Sequence, residues 1–398
     1  MTQDPVGWLG QLIHTFLVSL GLAPEWARAL QAFLAAGALA TAVLLLTFFL
    51  IWVERKILAR LQDRLGPNRV GPYGLFQTIA DAIKLVLKEV IVPSGADRVL
   101  YFLAPPLAVM SVVGLWGVVP LAPKLVGADI NVGVIYLISI GAIGTLAVML
   151  AGWSSNNKYA LLGAFRTVAM LISYEVPMVV ALLVPTMLAG SMGTVEIVER
   201  QREMWFVVLA PIAALLFFIS SMAEAGKAPF DLLEAESEIV AGYNIEYSSM
   251  AFGMFFVGEF LHGFTIAALT VALFFGGWLG PGVDRFPLLG LVYFALKSAV
   301  VYFVVIWIRG TLPRLRIDQV NAFNWKFLVP LSLATVAATA VTDKLAAGLG
   351  WSRTLALLGV NGVLALATIV ALTLYARSVR RRKARAERRI GAAATARG

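Results

Sequence analysis

Nine stretches of this chain stay apolar long enough to cross a membrane: 30–53, 99–120, 132–152, 160–190, 205–223, 248–277, 287–309, 325–343 and 353–376. About 20 apolar residues in a helix span the hydrocarbon layer. Inside that layer the backbone must satisfy its own hydrogen bonds, which a helix does within one segment. With 60 % hydrophobic residues, a chain of 398 carries more apolar surface than a soluble domain can hide. The expected fold is all-α: a polytopic membrane helix bundle of about nine transmembrane helices, forming one membrane domain over 1–398. No internal repeat or second soluble domain is visible. The run 160–190 contains Arg166, Glu175 and Pro177 and is expected to kink or protrude in part, because proline removes a backbone hydrogen bond. The earlier apolar stretch, 9–22, lacks a basic leader and a small-residue cleavage site, so no secretory signal is read there.

Charge sets the expected orientation. With the N-terminus outside, the inner loops and tail (54–98, 153–159, 224–247, 310–324 and 377–398) hold twenty-one Lys and Arg. The outer segments hold seven: Arg28, Lys124, Arg200, Arg202, Arg285, Lys344 and Arg353. Cytoplasmic loops carry the excess of basic residues, so the C-terminus is expected in the cytoplasm. The tail 377–398 has nine basic residues and one acid, Glu387. Read after an apolar helix, it is an anchor beside anionic lipid rather than a nucleic-acid-binding arm.

Cysteine is absent, and the histidines are His14 and His262. That excludes thiolate-bound iron–sulfur clusters and zinc-thiolate sites, and leaves little for haem ligation. No metal site is expected, and redox chemistry must belong to a partner or a diffusible substrate.

The first inner loop, 54–74, reads ERKILARLQDRLGPNRVGPYG. It is basic and contains two turn motifs, Gly66-Pro67-Asn68 and Gly71-Pro72-Tyr73-Gly74. In 75–90 apolar residues fall at 75, 76, 79, 83, 86, 87 and 90, with polar residues at 77, 81, 84 and 88 opposite. That is an amphipathic helix lying in the membrane interface. It reads either as a simple anchor or as part of a scaffolded loop that docks a partner or lines a cavity mouth. The defined turns favour the second.

The second inner loop, 223–247, carries Glu224, Asp231, Glu234, Glu236, Glu238 and Glu246 with one base, Lys227. Pro229 and Asp231 suit a helix start, which would put Asp231, Glu234 and Glu238 on one face. Crowded carboxyls in a poorly solvated place cannot all ionise, and they share protons instead. Two more acids, Glu175 and Glu259, lie inside apolar runs, where ionisable groups are tolerated mainly along polar paths. The alternatives are a solvated acidic face and isolated structural carboxyls. His262, three residues from Glu259, is either a helix-to-helix hydrogen-bond partner or a relay member. Lys297 is either a counter-ion for an intramembrane acid or a snorkelling base. The third loop, 309–326, offers Arg309, Arg314 and Arg316 with Trp325, suited to carboxylate or anion recognition or to anchoring.

Three segments, VERKILARLQDRLGPNRVGPYGLFQTIADAIKLVLKE, PFDLLEAESEIVAGYNIEY and TLPRLRIDQ…WK, resemble the H-type membrane subunits of respiratory complex I, the proton-pumping NADH:quinone oxidoreductase. These make up the complex I subunit 1 family. The likeness runs from about Trp52 to Leu331. It implies a membrane subunit at the junction with the electron-transfer arm, whose loops form much of a quinone-access chamber. It implies a proton relay through Glu175, Glu224, Asp231, Glu234, Glu236, Glu238, Glu246 and Glu259. It also implies a chamber lined by Arg55, Arg64, Asp81, Lys84, Glu89, Lys227, Phe230, Arg314 and Arg316. Quinone is the implied substrate and this chain binds no cofactor itself. FMN and iron–sulfur clusters belong to partner subunits, and the partners include peripheral quinone-site and antiporter-like subunits in a cytoplasmic membrane. The pattern departs in two places: many relatives have Asn-Arg where this chain has Gly226-Lys227, and proline where it has Leu233. The ninth run and the basic tail lie outside the likeness. A membrane-bound hydrogenase subunit and a stand-alone ion-coupled transporter are the alternatives; two halves with matching broken spans would mark a transporter, and that symmetry is not visible.

Overall fold

The computed structural model describes residues 5–21, 23–233, 240 and 242–395. Within them the chain is helical: α1 (Pro5–Ser19), α2 (Pro24–Leu61), α3 (Gln77–Leu87), α4 (Arg98–Leu115), α5 (Gly133–Ser154), α6 (Lys158–Ala189), α7 (Thr194–Glu199), α8 (Phe206–Leu209), α9 (Pro211–Glu224), α10 (Ser249–Phe274), α11 (Leu288–Thr311), α12 (Ile317–Phe323), α13 (Val329–Leu349) and α14 (Arg353–Thr395). Eight of these stretches are long and apolar enough to cross a membrane, with α12, a π-helical turn (Asn324–Leu328) and α13 counted as one. The expected run at 205–223 is broken. Ala210 leaves the helical region at φ −140° and ψ 64°, and Pro211 starts α9, which has only 14 residues. Proline disfavours helical backbone in the residue before it, which accounts for the break.

Several helices outrun the apolar runs. At about 1.5 Å per residue, the 38 residues of α2 extend roughly 57 Å. Its last turns, ERKILARL, are good helix formers and continue past the apolar core. Pro177 and Pro185 both lie inside the 32-residue α6, which is one uninterrupted helical element. α14 continues as helix to Thr395. Of the expected basic tail, side chains beyond Arg377 lie outside the described residues.

The main core lies between α4, α5, α6, α9 and α10, with Tyr101, Ala151, Tyr174, Phe217, Phe255 and Phe274 buried in it. α10 is the axis, packing on α2, α3, α4, α9 and α11. Glycines allow its close contacts: a side-chain carbon on Gly263 would fall 3.1 Å from Lys227 Cε, and one on Gly253 would fall 3.0 Å from Leu85. Small residues at such crossings let membrane helices approach each other.

The loops gather at two ends of the bundle. At one end the Asp97 amide donates to the Ser154 carbonyl, and the Leu315 amide to the Pro229 carbonyl. There Ser249 Oγ donates to the carbonyls of Leu85 and Lys88, tying α3 to the start of α10. At the other end, Gln201 is fully buried and joins α7 to the carbonyl of Ala272 and the amide of Gly276. Lys297 is neither a counter-ion for a buried acid nor a snorkelling base. Its Nζ donates to the carbonyls of Phe275, Gly277 and Leu279 at 2.8–3.1 Å and lies 4.4 Å from the centre of the Trp205 ring. It neutralises the negative end of α10.

Candidate functional site

α3 places its expected apolar stripe outward. Ile79, Ile83, Val86 and Leu87 are exposed, while Leu85 packs on α10. The polar stripe turns toward α2, where Arg55 donates to Asp81 at 2.6 Å, with Gln77 at 3.2 Å and Lys84 Nζ at 3.9 Å. Burial pushes the Asp81 carboxyl up, but the hydrogen bonds from Arg55 and Gln77 and the charges of Arg55 and Lys84 outweigh it. The net effect holds Asp81 below the ordinary carboxylate range. The turn before α3 depends on glycine: Gly74 has φ +76°, and an added side-chain carbon would meet the Pro67 carbonyl oxygen at 2.3 Å. Arg64 and Glu89 are exposed, Arg64 donating to Gln62 at 2.8 Å.

The acidic loop does not begin as a helix at Pro229. Residues 228–233 are non-helical, with the Phe230 amide donating to the Lys227 carbonyl and the Leu232 amide to that of Phe230. The shared helical face expected for Asp231, Glu234 and Glu238 therefore lacks its first turn. Glu234, Glu236 and Glu238 themselves lie outside the described residues. Asp231 accepts from Arg314 at 2.9 Å. Phe230 is buried beside the Tyr174 ring, 5.2 Å between centres, and Tyr174 donates to the Val320 carbonyl. Arg316 is held locally by Asp318 at 3.2 Å. Glu246 stands apart, accepting from Asn157 at 2.6 Å. Beside it the Tyr247 ring stacks on Tyr101, 4.2 Å between centres, and burial pushes the Tyr247 hydroxyl up to about 12.

Inside the bundle, Lys227 reaches back from the loop to α10. Its Nζ donates to Glu259 Oε1 at 2.8 Å and sits 4.6 Å from the centre of the Phe260 ring, with a side chain 2 % exposed. A cavity of about 70 Å³ adjoins this pair, lined by Glu259, His262, Glu224, Ser111, Thr145 and Tyr243 among others. A second, of about 30 Å³, shares Glu224, His262 and Gly141 with the first and adds Ser221. Glu175, on α6, lies within coulombic reach of Glu224.

A further link went unread in the sequence. Glu54, 1 % exposed on α2, accepts from Tyr302 at 2.9 Å and from Arg309, both on α11. A side-chain carbon on Gly263 would touch both Tyr302 and Lys227, so the two pairs are neighbours. The signal was present: Glu54 closes an apolar run, and a buried carboxylate requires a cation or several donors. Arg309–Glu54–Tyr302 and Lys227–Glu259 are thus neighbouring buried polar sets, and Lys227–Glu259 adjoins the cavities that His262 and Glu224 line, with Glu175 within coulombic reach of Glu224.

Gly226 and Leu233, where the resemblance leads one to expect other residues, meet in space. Gly226 has φ +62°, and a side-chain carbon there would lie 2.1 Å from Leu233 Cδ1. Over residues 34–340 the sequence matches the family described as NADH dehydrogenase. The chain belongs to that family. Among its relatives is the H-type subunit of the NADH-quinone oxidoreductase of Brevibacillus brevis, 46 % identical over 321 residues, 80 % of this chain and 95 % of the relative. The H-type subunit of Dehalococcoides mccartyi strain CBDB1 is 44 % identical, over 80 % of this chain and 88 % of its own. That of Granulibacter bethesdensis is 43 % identical, over 86 % and 98 %. The family match ends before α14, which begins at Arg353.

Proposed function

We propose that this chain is the H-type membrane subunit of a proton-translocating NADH:quinone oxidoreductase, coupling quinone reduction to proton movement. Relatives at 43–46 % identity carry the name of that subunit. The observation that carries the mechanism is the buried polar line leading from the loop end of the bundle to Glu224. Iron–sulfur clusters would belong to partner subunits of the electron-transfer arm, since this chain has no cysteine to hold one, and FMN would sit with them. A quinone-site subunit would close over the loop end, where Arg55–Asp81 and Asp231–Arg314 stand. Antiporter-like membrane subunits would receive the charge movement. The basic excess of the inner loops and tail supports a cytoplasmic loop end and an N-terminus outside the cytoplasmic membrane.

The coupling is electrostatic. Reduction of a quinone near Asp231 creates local negative charge and a demand for protons. Two unit charges about 4 Å apart interact by about 4 kcal/mol at an effective dielectric of about 20. That equals roughly three pKa units, enough to reprotonate a neighbouring acid. The proton taken up at the mouth then displaces charge along Glu259 and Glu224 toward Glu175. Lys227 Nζ lies 2.8 Å from Glu259, so a change of charge beside the pair acts on both groups.

The test is Glu224→Gln in the assembled complex in proteoliposomes. Expected is loss of NADH-driven proton uptake and slowed quinone reduction, with unchanged NADH oxidation by a water-soluble acceptor that bypasses the membrane arm. Wild-type proton uptake in that variant overturns the coupling role.

A further inference from the structure

Resting on the reading above, we infer that His262 is a proton-carrying member of the relay, joining Glu259 to Glu224 through water held in the second cavity by Ser221. Three observations lead there. First, His262 and Glu224 line both cavities, whereas Glu259 lines the first alone and Ser221 the second alone. The imidazole therefore stands at the junction, one turn along α10 from Glu259. Second, Ser221 is 2 % exposed and its hydroxyl has no hydrogen-bond partner among the described residues. A buried hydroxyl is costly unless something satisfies it. Third, the second cavity measures about 30 Å³ on a scale where one water needs roughly 10–15 Å³. A buried water requires two to four polar partners, and this cavity supplies three: Ser221, Glu224 and His262. Its other walls, such as Met178, Phe217 and Leu269, are apolar.

Among the described residues, five other ionisable groups stand around the imidazole. Glu259 comes from α10 itself, Glu224 from α9, Lys227 from the following loop, Tyr243 from the turn before α10 and Tyr302 from α11. α4 and α5 contribute Ser111 and Thr145, which do not titrate near neutrality. Imidazole can accept a proton on one nitrogen and release one from the other, at a pH where carboxylates and lysine alone transfer poorly. The step is a proton transfer with no electron exchange: Glu259, once protonated from the loop end, gives its proton to one imidazole nitrogen, and the other nitrogen releases its proton through second-cavity water to the Glu224 carboxylate.

The decisive variant is His262→Asn, which keeps a side-chain donor and acceptor but carries no proton at these pH values. Expected in proteoliposomes is at least a tenfold loss in NADH-driven proton uptake with normal assembly, and a changed pH profile of uptake. Wild-type uptake and profile in His262→Asn overturn the inference and leave a structural histidine. Should His262→Asn fail to assemble, Ser221→Ala serves, since it removes one hydroxyl from a small cavity. A several-fold fall in uptake supports the water site; no change overturns it. Glu224→Gln separates the two readings: retained uptake there removes the whole relay, whereas a loss there with intact His262→Asn removes the histidine's part alone.

Discussion

Gly226 and Leu233 share one space: the volume a side chain at 226 would take is filled by Leu233 Cδ1, 2.1 Å from the ideal carbon position. Both positions are ones where the family resemblance leads one to expect other residues, and their contact makes a paired exchange the natural test. Gly226→Asn alone is expected to destabilise the 226–233 turn by about 1–3 kcal/mol through overpacking. Asparagine tolerates the left-handed backbone at φ +62°, so the strain is in the contact and not in the chain. Gly226→Asn with Leu233→Pro should recover most of the loss. Yields of assembled complex from the single and double variants measure it, and additive losses would refute the coupling.

Lys227 and Glu259 form a buried ion pair, and removing one partner leaves an uncompensated charge. Lys227→Met is expected to lower stability by about 3–5 kcal/mol, read as loss of assembled complex in a detergent melt. Lys227→Met with Glu259→Leu should restore assembly, because a buried pair replaced by apolar residues of similar volume is often neutral. It should not restore proton uptake. A double variant that pumps normally would place the proton route elsewhere.

Asn361 of α14 is 2 % exposed, and its Nδ2 donates to the Leu209 carbonyl at 2.9 Å, at the break between α8 and α9. Arg353 Nη2 likewise donates to the Leu188 carbonyl near the end of α6. Asn361→Leu strips the partner from a buried carbonyl and should cost about 1–3 kcal/mol. Faster amide hydrogen exchange around 206–214 is the expected signature. Unchanged exchange there would mean that α14 rests on the bundle without bracing it.

Asp81 gives a pH dependence. Its carboxyl is held below its ordinary value near 3.8, chiefly by Arg55 once burial is overcome. A depressed carboxylate stabilises the fold above its unfolded value and loses that contribution as pH falls through the lower folded one. The α2–α3 contact should therefore be indifferent to pH from neutral down to about pH 4 and loosen below it. Amide exchange in 77–87 should accelerate in that acid window, and Asp81→Asn should remove the dependence.

Much of the fold was legible because membrane spans are a local property of composition. Twenty apolar residues announce themselves whatever they pack against, and α3 declared its two faces by spacing alone. Boundaries were less legible. α2 ran past its apolar stretch because Glu, Arg, Lys and Leu are helix formers in any solvent, and α1 is too short to have been read as a span. The break at Ala210 was foreseeable from Pro211, yet an apolar run hides a proline that hydropathy ignores. The candidate acids were visible singly; their partners were not. Glu259 finds Lys227 thirty-two residues away and Glu54 finds Arg309 across the bundle. No periodicity links such residues, because packing of whole helices brings them together. The expected helix at Pro229 failed for a related reason: start signals were present, but Lys227 and Asp231 are drawn to α10 and to Arg314, and the chain turns to satisfy them.

In the proposed membrane setting, α3 would fix a waterline. Its outward side chains, ending in Val86 and Leu87, need oil, whereas Arg55 and Asp81 just behind them need a wet or ionic setting. The molecule can neither sink nor ride higher without stranding one set or the other. A long-tailed, greasy visitor drifting within one leaflet would therefore meet the loop end of the bundle at its own depth, and could present a polar head there without lifting its tail out of the lipid.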